Sequence, residues 1–253
     1  MQRKNFRDAR GRAVGQALEL RVDVPGLGYR HVVAREHLQR FLELIPDWER
    51  ARAGLHAIVL AAGDEEADGW YDCGVIALTA WPDPPTTTVC AEYFEEHRDI
   101  LTRLGVPSRQ APSFLGVVDE AVAPSWWKMP RTSALLDAAL DIISFDVEPA
   151  DAPGEWRVRD TSVHQEGGPV IAELHELDGA LHVYERRVAL RFDRRRAAAF
   201  QLLHVLLHEL GHHVDAQGPL SRRAYWRREE FAEQWARRCA DRIWSAYHRL
   251  PFA

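Results

Sequence analysis

His208-Glu209-Leu210-Gly211-His212, with Phe200-Gln201-Leu202-Leu203-His204-Val205-Leu206-Leu207 before it and His213-Val214-Asp215 after it, is the stretch that decides the fold class. Phe200, Leu203, Leu207, Leu210 and Val214 recur at three- and four-residue steps, which predicts a helix with one core-facing stripe. Gln201, His204, His208, His212 and Asp215 fall on a different face. His208 and His212 stand slightly more than one turn apart, a rise of about 6 Å, so both imidazoles project from one side. Two imidazoles so placed can grip one metal ion. Glu209 lies between them but off their row, within reach of a water at that ion, which is the geometry of metal-assisted hydrolysis. An amphipathic helix with surface or core-satisfied histidines is the competing reading of the same residues.

A site built on two histidines needs a third protein ligand and an open fourth position. Arg227-Arg228-Glu229-Glu230-Phe231-Ala232-Glu233-Gln234-Trp235-Ala236 offers one, with Glu229 seventeen residues beyond His212, room for a loop and a returning helix. Glu229 and Glu233 are a turn apart and share a face. Small Ala232 and Ala236 allow this helix to approach the first closely.

Here the chain resembles the gluzincins, zinc metallopeptidases in which HExxH is completed by a glutamate on a following helix. Their second helix often reads Glu-x-x-Ala-(Asp/Asn)-x-x-Ala. Glu229, Ala232, Glu233 and Ala236 match that spacing, with Glu233 in place of the usual shorter residue. The resemblance covers roughly residues 200–240. It implies one Zn2+ per chain held by His208, His212 and Glu229, with Glu209 as general base and Glu233 orienting a ligand imidazole. Glu230 is the fallback if the register slips by one. A metzincin pattern is excluded, because Asp215 and Gly218 stand where its Gly and His belong. Tyr225 and His213 are candidate donors to an oxyanion, and His204 is placed at the rim of the site.

Upstream, Val170–Leu177 and Leu181–Phe192 read as strands joined by Asp178-Gly179, a strong hairpin signal, with Gly167-Gly168-Pro169 opening the first. By the resemblance, an edge strand before the motif helix binds extended substrate; a plain structural hairpin is the alternative. In the front half, Leu18–Val24 and Tyr29–Val33 read as strands across a Pro25-Gly26-Leu27-Gly28 turn. Arg35–Arg52 reads as a helix broken near Pro46, and Leu55–Ala62 with Cys73–Trp81 as a second strand pair around an acidic loop. Cys90–Leu104 is expected to be helical. Gly105–Pro130 reads as a boundary or covering loop ending in Trp126-Trp127, with the tryptophans as buried anchors.

Composition sets the outer limits. The chain has 253 residues, 46% of them hydrophobic, enough for a sizeable core in one large or two smaller domains. No apolar run approaches a membrane span, and the N-terminus lacks the apolar core of a secretory signal. Cys73, Cys90 and Cys239 are odd in number and widely spaced, so a reduced, cytoplasmic location is expected. Net charge is −6, yet residues 181–253 carry 14 basic and 8 acidic side chains, hence +6. No nucleic-acid motif accompanies that charge, and solvated helix ends account for it better than a nucleic-acid partner.

The expected fold is therefore α+β and zincin-like, with a mixed or antiparallel sheet. It is either one unit over 1–253 with an insertion near 85–165, or modules 1–130 and 131–253. The expected activity is peptide-bond hydrolysis on a peptide or protein substrate. A catalytically silent or regulatory binding domain, and a metal hydrolase of a non-peptide bond, are the alternatives.

Overall fold

A computed structural model describes residues 18–63, 68–118, 145–161, 168, 170–218 and 225–253. The chain divides into two compact units, one comprising the residues up to Pro85 together with Phe192–Ala253, the other Thr86–Arg191. The segment that separates from the motif-bearing unit thus runs to 191, where the sequence suggested an insertion ending near 165. The fold class is α+β, with a mixed sheet in the first unit and antiparallel sheets in the second.

In the first unit, β1 (Glu19–Val22), β2 (Tyr29–Arg30), α1 (Arg35–Leu42), α2 (Trp48–Ala51), β3 (Ala57–Ala61), β4 (Gly69–Asp72), β5 (Val75–Thr79) and β6 (Trp81–Pro82) come first. Strands β3 and β5 read Ala-Ile-Val-Leu-Ala and Val-Ile-Ala-Leu-Thr and are almost wholly buried. Continuous apolar runs of this kind are what a parallel sheet covered on both faces demands. The sheet order is β1-β3-β5-β4, with β1, β3 and β5 parallel and β4 antiparallel at the edge. A two-residue turn at Cys73-Gly74, φ 46° and 83°, folds β4 back on β5. Only glycine adopts the second angle without a steric cost.

Two expectations change here. The strand at 19–22 does not pair with its neighbour across the Pro-Gly turn; it joins β3 in parallel, and β2 pairs with β6. Between the acidic loop expected at 63–69 and the strand expected from Cys73 lies a further strand, β4. The helix expected over 35–52 does break near Pro46, where Asp47 takes φ 53°.

The motif helix is one continuous run. It begins with α5 (Arg194–Phe200), whose N-cap Asp193 accepts a hydrogen bond from the Arg196 amide at 2.8 Å. A π-helical turn over Gln201–Leu206 follows, then α6 (Leu207–Ala216). Every side chain of the π turn is buried, including Gln201, whose amide donates to the Thr79 carbonyl at 2.6 Å and ties the helix to the end of β5. The last helix, α7 (Tyr225–Tyr247), lays Ala232 and Ala236, 0% and 1% exposed, against α6. A Cβ added to Gly211 would lie 2.8 Å from the Ala232 Cα and 2.9 Å from its carbonyl oxygen. Glycine in the motif and alanine in the second helix are therefore what permit this approach.

The second unit contains β7 (Thr86–Cys90), α3 (Ala91–Glu96), α4 (Arg98–Arg103), β8 (Ser108–Gln110), β9 (Ser113–Val118), β10 (Phe145–Pro149), β11 (Glu155–Asp160), β12 (Val170–Leu177), β13 (Ala180–Glu185) and β14 (Arg187–Arg191). Its sheets have the orders β10-β11-β12-β13-β9 and β7-β14-β8. Val158, Ile171, Ala172, Leu174, Leu181 and Val183 form its core. The Asp178-Gly179 hairpin forms as expected, with φ 54° and 78°. The helix expected over 90–104 is two short helices meeting at His97. The region expected to be a loop after Gly105 includes β8 and β9, while Trp126 and Trp127 lie outside the described residues. No helix among the described residues is long and apolar enough to cross a membrane.

Candidate metal centre

Leu207 and Leu210, both 0% exposed, anchor the start of α6 in the core of the first unit. That fixes its rotation and leaves His208 and His212 half-buried on another side. From α7, Glu229 reaches the same point. Its Oε2 lies 3.3 Å from His208 Nε2 and 3.2 Å from His212 Nε2, and the two Nε2 atoms are 3.0 Å apart. Three ligands at about 2.0 Å from a tetrahedral centre are about 3.3 Å from one another. The triangle of donors has very nearly that edge, so these residues can hold a metal ion.

The outer contacts aim the ligands. His208 Nδ1 lies 3.3 Å from Glu233 Oε2, which turns Nε2 toward Glu229 and His212. Glu233 is itself fixed by Arg237, whose Nε donates to Oε1 at 2.8 Å. His204, buried at 6% exposure, places Nδ1 3.8 Å from the same carboxylate. Burial pulls the His208 pKa down, but the carboxylates of Glu229 and Glu233 outweigh it and raise the value to about 9. Hydrogen bonds from His208 and His212 hold Glu229 well below the usual carboxylate range. These opposite shifts are those of an imidazolium–carboxylate cluster.

Glu209 is 9% exposed and lies beside the ligand row, not in it. Burial raises its pKa, opposed by the two imidazoles and assisted by Glu229. Edge strand β4 passes directly alongside. A Cβ on Gly69 would fall 2.7 Å from Val205 Cγ1, 2.8 Å from the Ala77 carbonyl and 3.5 Å from Glu209 Cγ. The next inward residue, Tyr71, donates its hydroxyl proton to His213 Nδ1 at 3.3 Å, while His213 Nε2–H donates to the Ala53 carbonyl at 3.0 Å. Thus β4 is latched to α6, with Gly69 beside the candidate base.

The structure brings together His208, Glu209, His212, Glu229 and Glu233. It does not bring Glu230, which accepts a hydrogen bond from Gln234 on the same helix. His213 is 2% exposed and committed to Tyr71 and Ala53, so it has no role as an oxyanion donor. The side chain of Tyr225 lies outside the described residues. The strands before the motif helix form a plain structural hairpin, the alternative reading, and not an edge. Strands β12 and β13 are each paired on both sides, and β14 is the centre of its sheet, so none of the three offers a free edge. Strand β4 does. Its sequence signal, Gly69-Trp70-Tyr71 next to a run of acidic residues, is too short to register as a strand by periodicity.

No family model matches this chain, and neither does any curated protein or solved structure.

Proposed function

We propose that the chain is a zinc-dependent metallopeptidase of zincin-like, gluzincin-type architecture, with His208, His212 and Glu229 holding the metal and Glu209 as general base. The observation that carries this reading is the convergence of three donors from α6 and α7 at 3.0 to 3.3 Å, with a buried carboxyl beside them that is not part of the triangle. Two imidazoles and one carboxylate suit zinc, whereas calcium and magnesium take six or more oxygens. Zinc bound there would supply a Lewis acid that polarises a substrate carbonyl and makes water acidic near neutral pH.

Glu209 accepts the proton as water attacks that carbonyl and returns it to the departing amine. A carboxyl raised by burial is better matched to both transfers than an ordinary glutamate. Among the described residues β4 pairs on one side only, so its other edge is suited to adding an extended peptide as a further strand near Glu209. A peptide or protein substrate, not a compact metabolite, is what such an edge selects. The free thiols of Cys73, Cys90 and Cys239 fit a reducing, cytoplasmic setting.

The test is hydrolysis of an extended peptide library by zinc-loaded parent and Glu209→Gln. Cleavage by the parent and its loss in a variant that keeps its zinc are expected. Equal cleavage by both removes Glu209 from the reaction. Turnover of carboxylic esters without any peptide cleavage points to the non-peptide alternative.

A further inference from the structure

The first unit holds a concavity of about 630 Å³, lined by residues of β1–β3, α1, α5 and the C-terminal segment. It opens at the carboxyl ends of parallel strands β1 and β3, where Val22 and Leu60 form part of its floor. Open parallel sheets bind ligands at that end of their strands, because the chain leaves each strand there and the following helices splay apart. The volume is in the range of small-molecule sites.

Its rim is cationic. Arg35 opens α1, and Arg194 and Arg195 open α5; among the described residues none of these three makes a hydrogen bond or ion pair. Their neighbours do. Arg30 is bound to Asp83 at 2.9 Å, and Arg196 is held by Asp193. Three arginines lining one cavity, with no carboxylate partner among the described residues, give its mouth a positive potential that an anion would satisfy. Only Glu36 among the lining residues carries a negative charge. The α1 first turn, capped by Ala34 with no side-chain acceptor, adds amides of the same polarity.

Other lining residues are apolar or aromatic. His37 and Phe252 stack with ring centroids 4.1 Å apart and planes 14° from parallel. His37 accepts from the Ala34 amide through Nδ1 at 3.4 Å, which sets the orientation of its ring. Val32, Val33 and Ala198 complete an uncharged interior. An apolar cavity with an aromatic pair and a cationic mouth is complementary to a planar ring carrying a phosphate, and to neither part alone.

We propose that this cavity binds a nucleotide, its phosphate held by Arg35, Arg194 and Arg195 and its base packed against His37 and Phe252. The site lies apart from the metal centre. Arg194 precedes His208 by fourteen residues of continuous helix, about 20 Å along its axis.

The experiment is calorimetric titration of the full chain with AMP, adenosine and inorganic phosphate, at low and at high salt. AMP is expected to bind at least about tenfold more tightly than either fragment, and to weaken as salt rises. Arg194→Ala/Arg195→Ala is expected to reduce AMP affinity by about tenfold or more. Because both arginines are exposed, circular dichroism and the metal affinity should stay at parent values. Phe252→Leu should weaken AMP while leaving phosphate unchanged. Equal AMP affinity in the double-arginine variant overturns the proposal, as does the absence of AMP binding at about 1 mM. Binding of a 5′-phosphorylated oligonucleotide in place of AMP overturns it too.

Discussion

Replacing Gly211 by alanine sets two opposing magnitudes against each other. In an isolated helix the change is favourable by about 1 kcal/mol, since alanine is the best helix former and glycine among the worst. In this protein the new methyl carbon would lie 2.8 Å from the Ala232 Cα and 2.9 Å from its oxygen. Ordinary contact begins near about 3.5 Å, so α6 and α7 must separate by more than about half an ångström. The obstacle is backbone, which cannot swing aside, and overpacking of this sort costs about 1–3 kcal/mol or more. The clash is expected to win. Metal distances tolerate only about 0.2 Å, and Glu229 rides on the helix that moves, so zinc affinity should fall with stability. The expected result is a melting temperature lower by several degrees in the metal-free protein and a further loss of zinc-dependent stabilisation. Competition titration with a zinc chelator measures the second effect. Adding Ala232→Gly should not rescue the variant, because the contacts are with Cα and O and not with the alanine methyl. Parent-like melting and zinc affinity in Gly211→Ala would refute the close packing of the two helices.

Three further outcomes follow from named contacts. Glu233→Gln removes the negative charge on His208 Nδ1 while keeping an acceptor; zinc affinity should drop about tenfold by competition titration, with Arg237→Ala producing a smaller loss in the same direction. Gly69→Ala drives a methyl into Val205 and the Ala77 carbonyl beside Glu209, so peptide cleavage should be lost while zinc stays bound, read by activity and metal content together. In the second unit, burial raises Glu92 from the ordinary 4.5 to about 7, helped by Asp160. A carboxyl raised on folding favours the native state fully below its unfolded pKa, and that stability is lost as pH rises through the folded value. Stability should therefore fall between about pH 4.5 and 7, and Glu92→Gln should flatten the decline in thermal melts across that window.

The helical part of the site was legible in the sequence because its information is local. Four-residue spacing alone puts His208 with His212, and Glu229 with Glu233, and the apolar steps at Leu203, Leu207 and Leu210 say which side faces the core. The sheets were legible as strands but not as partners. Whether β12 and β13 are edges depends on β11 and on β9, the latter far upstream, and nothing within the hairpin reports those neighbours. The same holds for β1, whose parallel partner β3 lies beyond two helices. Strand β4 escaped notice because four residues carry no measurable alternation. His213 shares its helix with the ligands, and only the positions of Tyr71 and Ala53 commit it to a structural bond. Gln201 belongs to the same group: by spacing it shares the ligand face, but the π turn buries it against Thr79.

The most direct measurement is metal content and zinc affinity of the purified chain beside Glu229→Ala and Glu230→Ala. The two glutamates are adjacent in sequence, but only Glu229 lies within 3.3 Å of both imidazoles. About one zinc per chain is predicted for the parent and for Glu230→Ala, with affinity lost by tenfold or more, on the order of a missing ligand, in Glu229→Ala. A parent that binds no zinc, or a Glu229→Ala protein that binds it as tightly as the parent, would contradict a metal centre shared between α6 and α7.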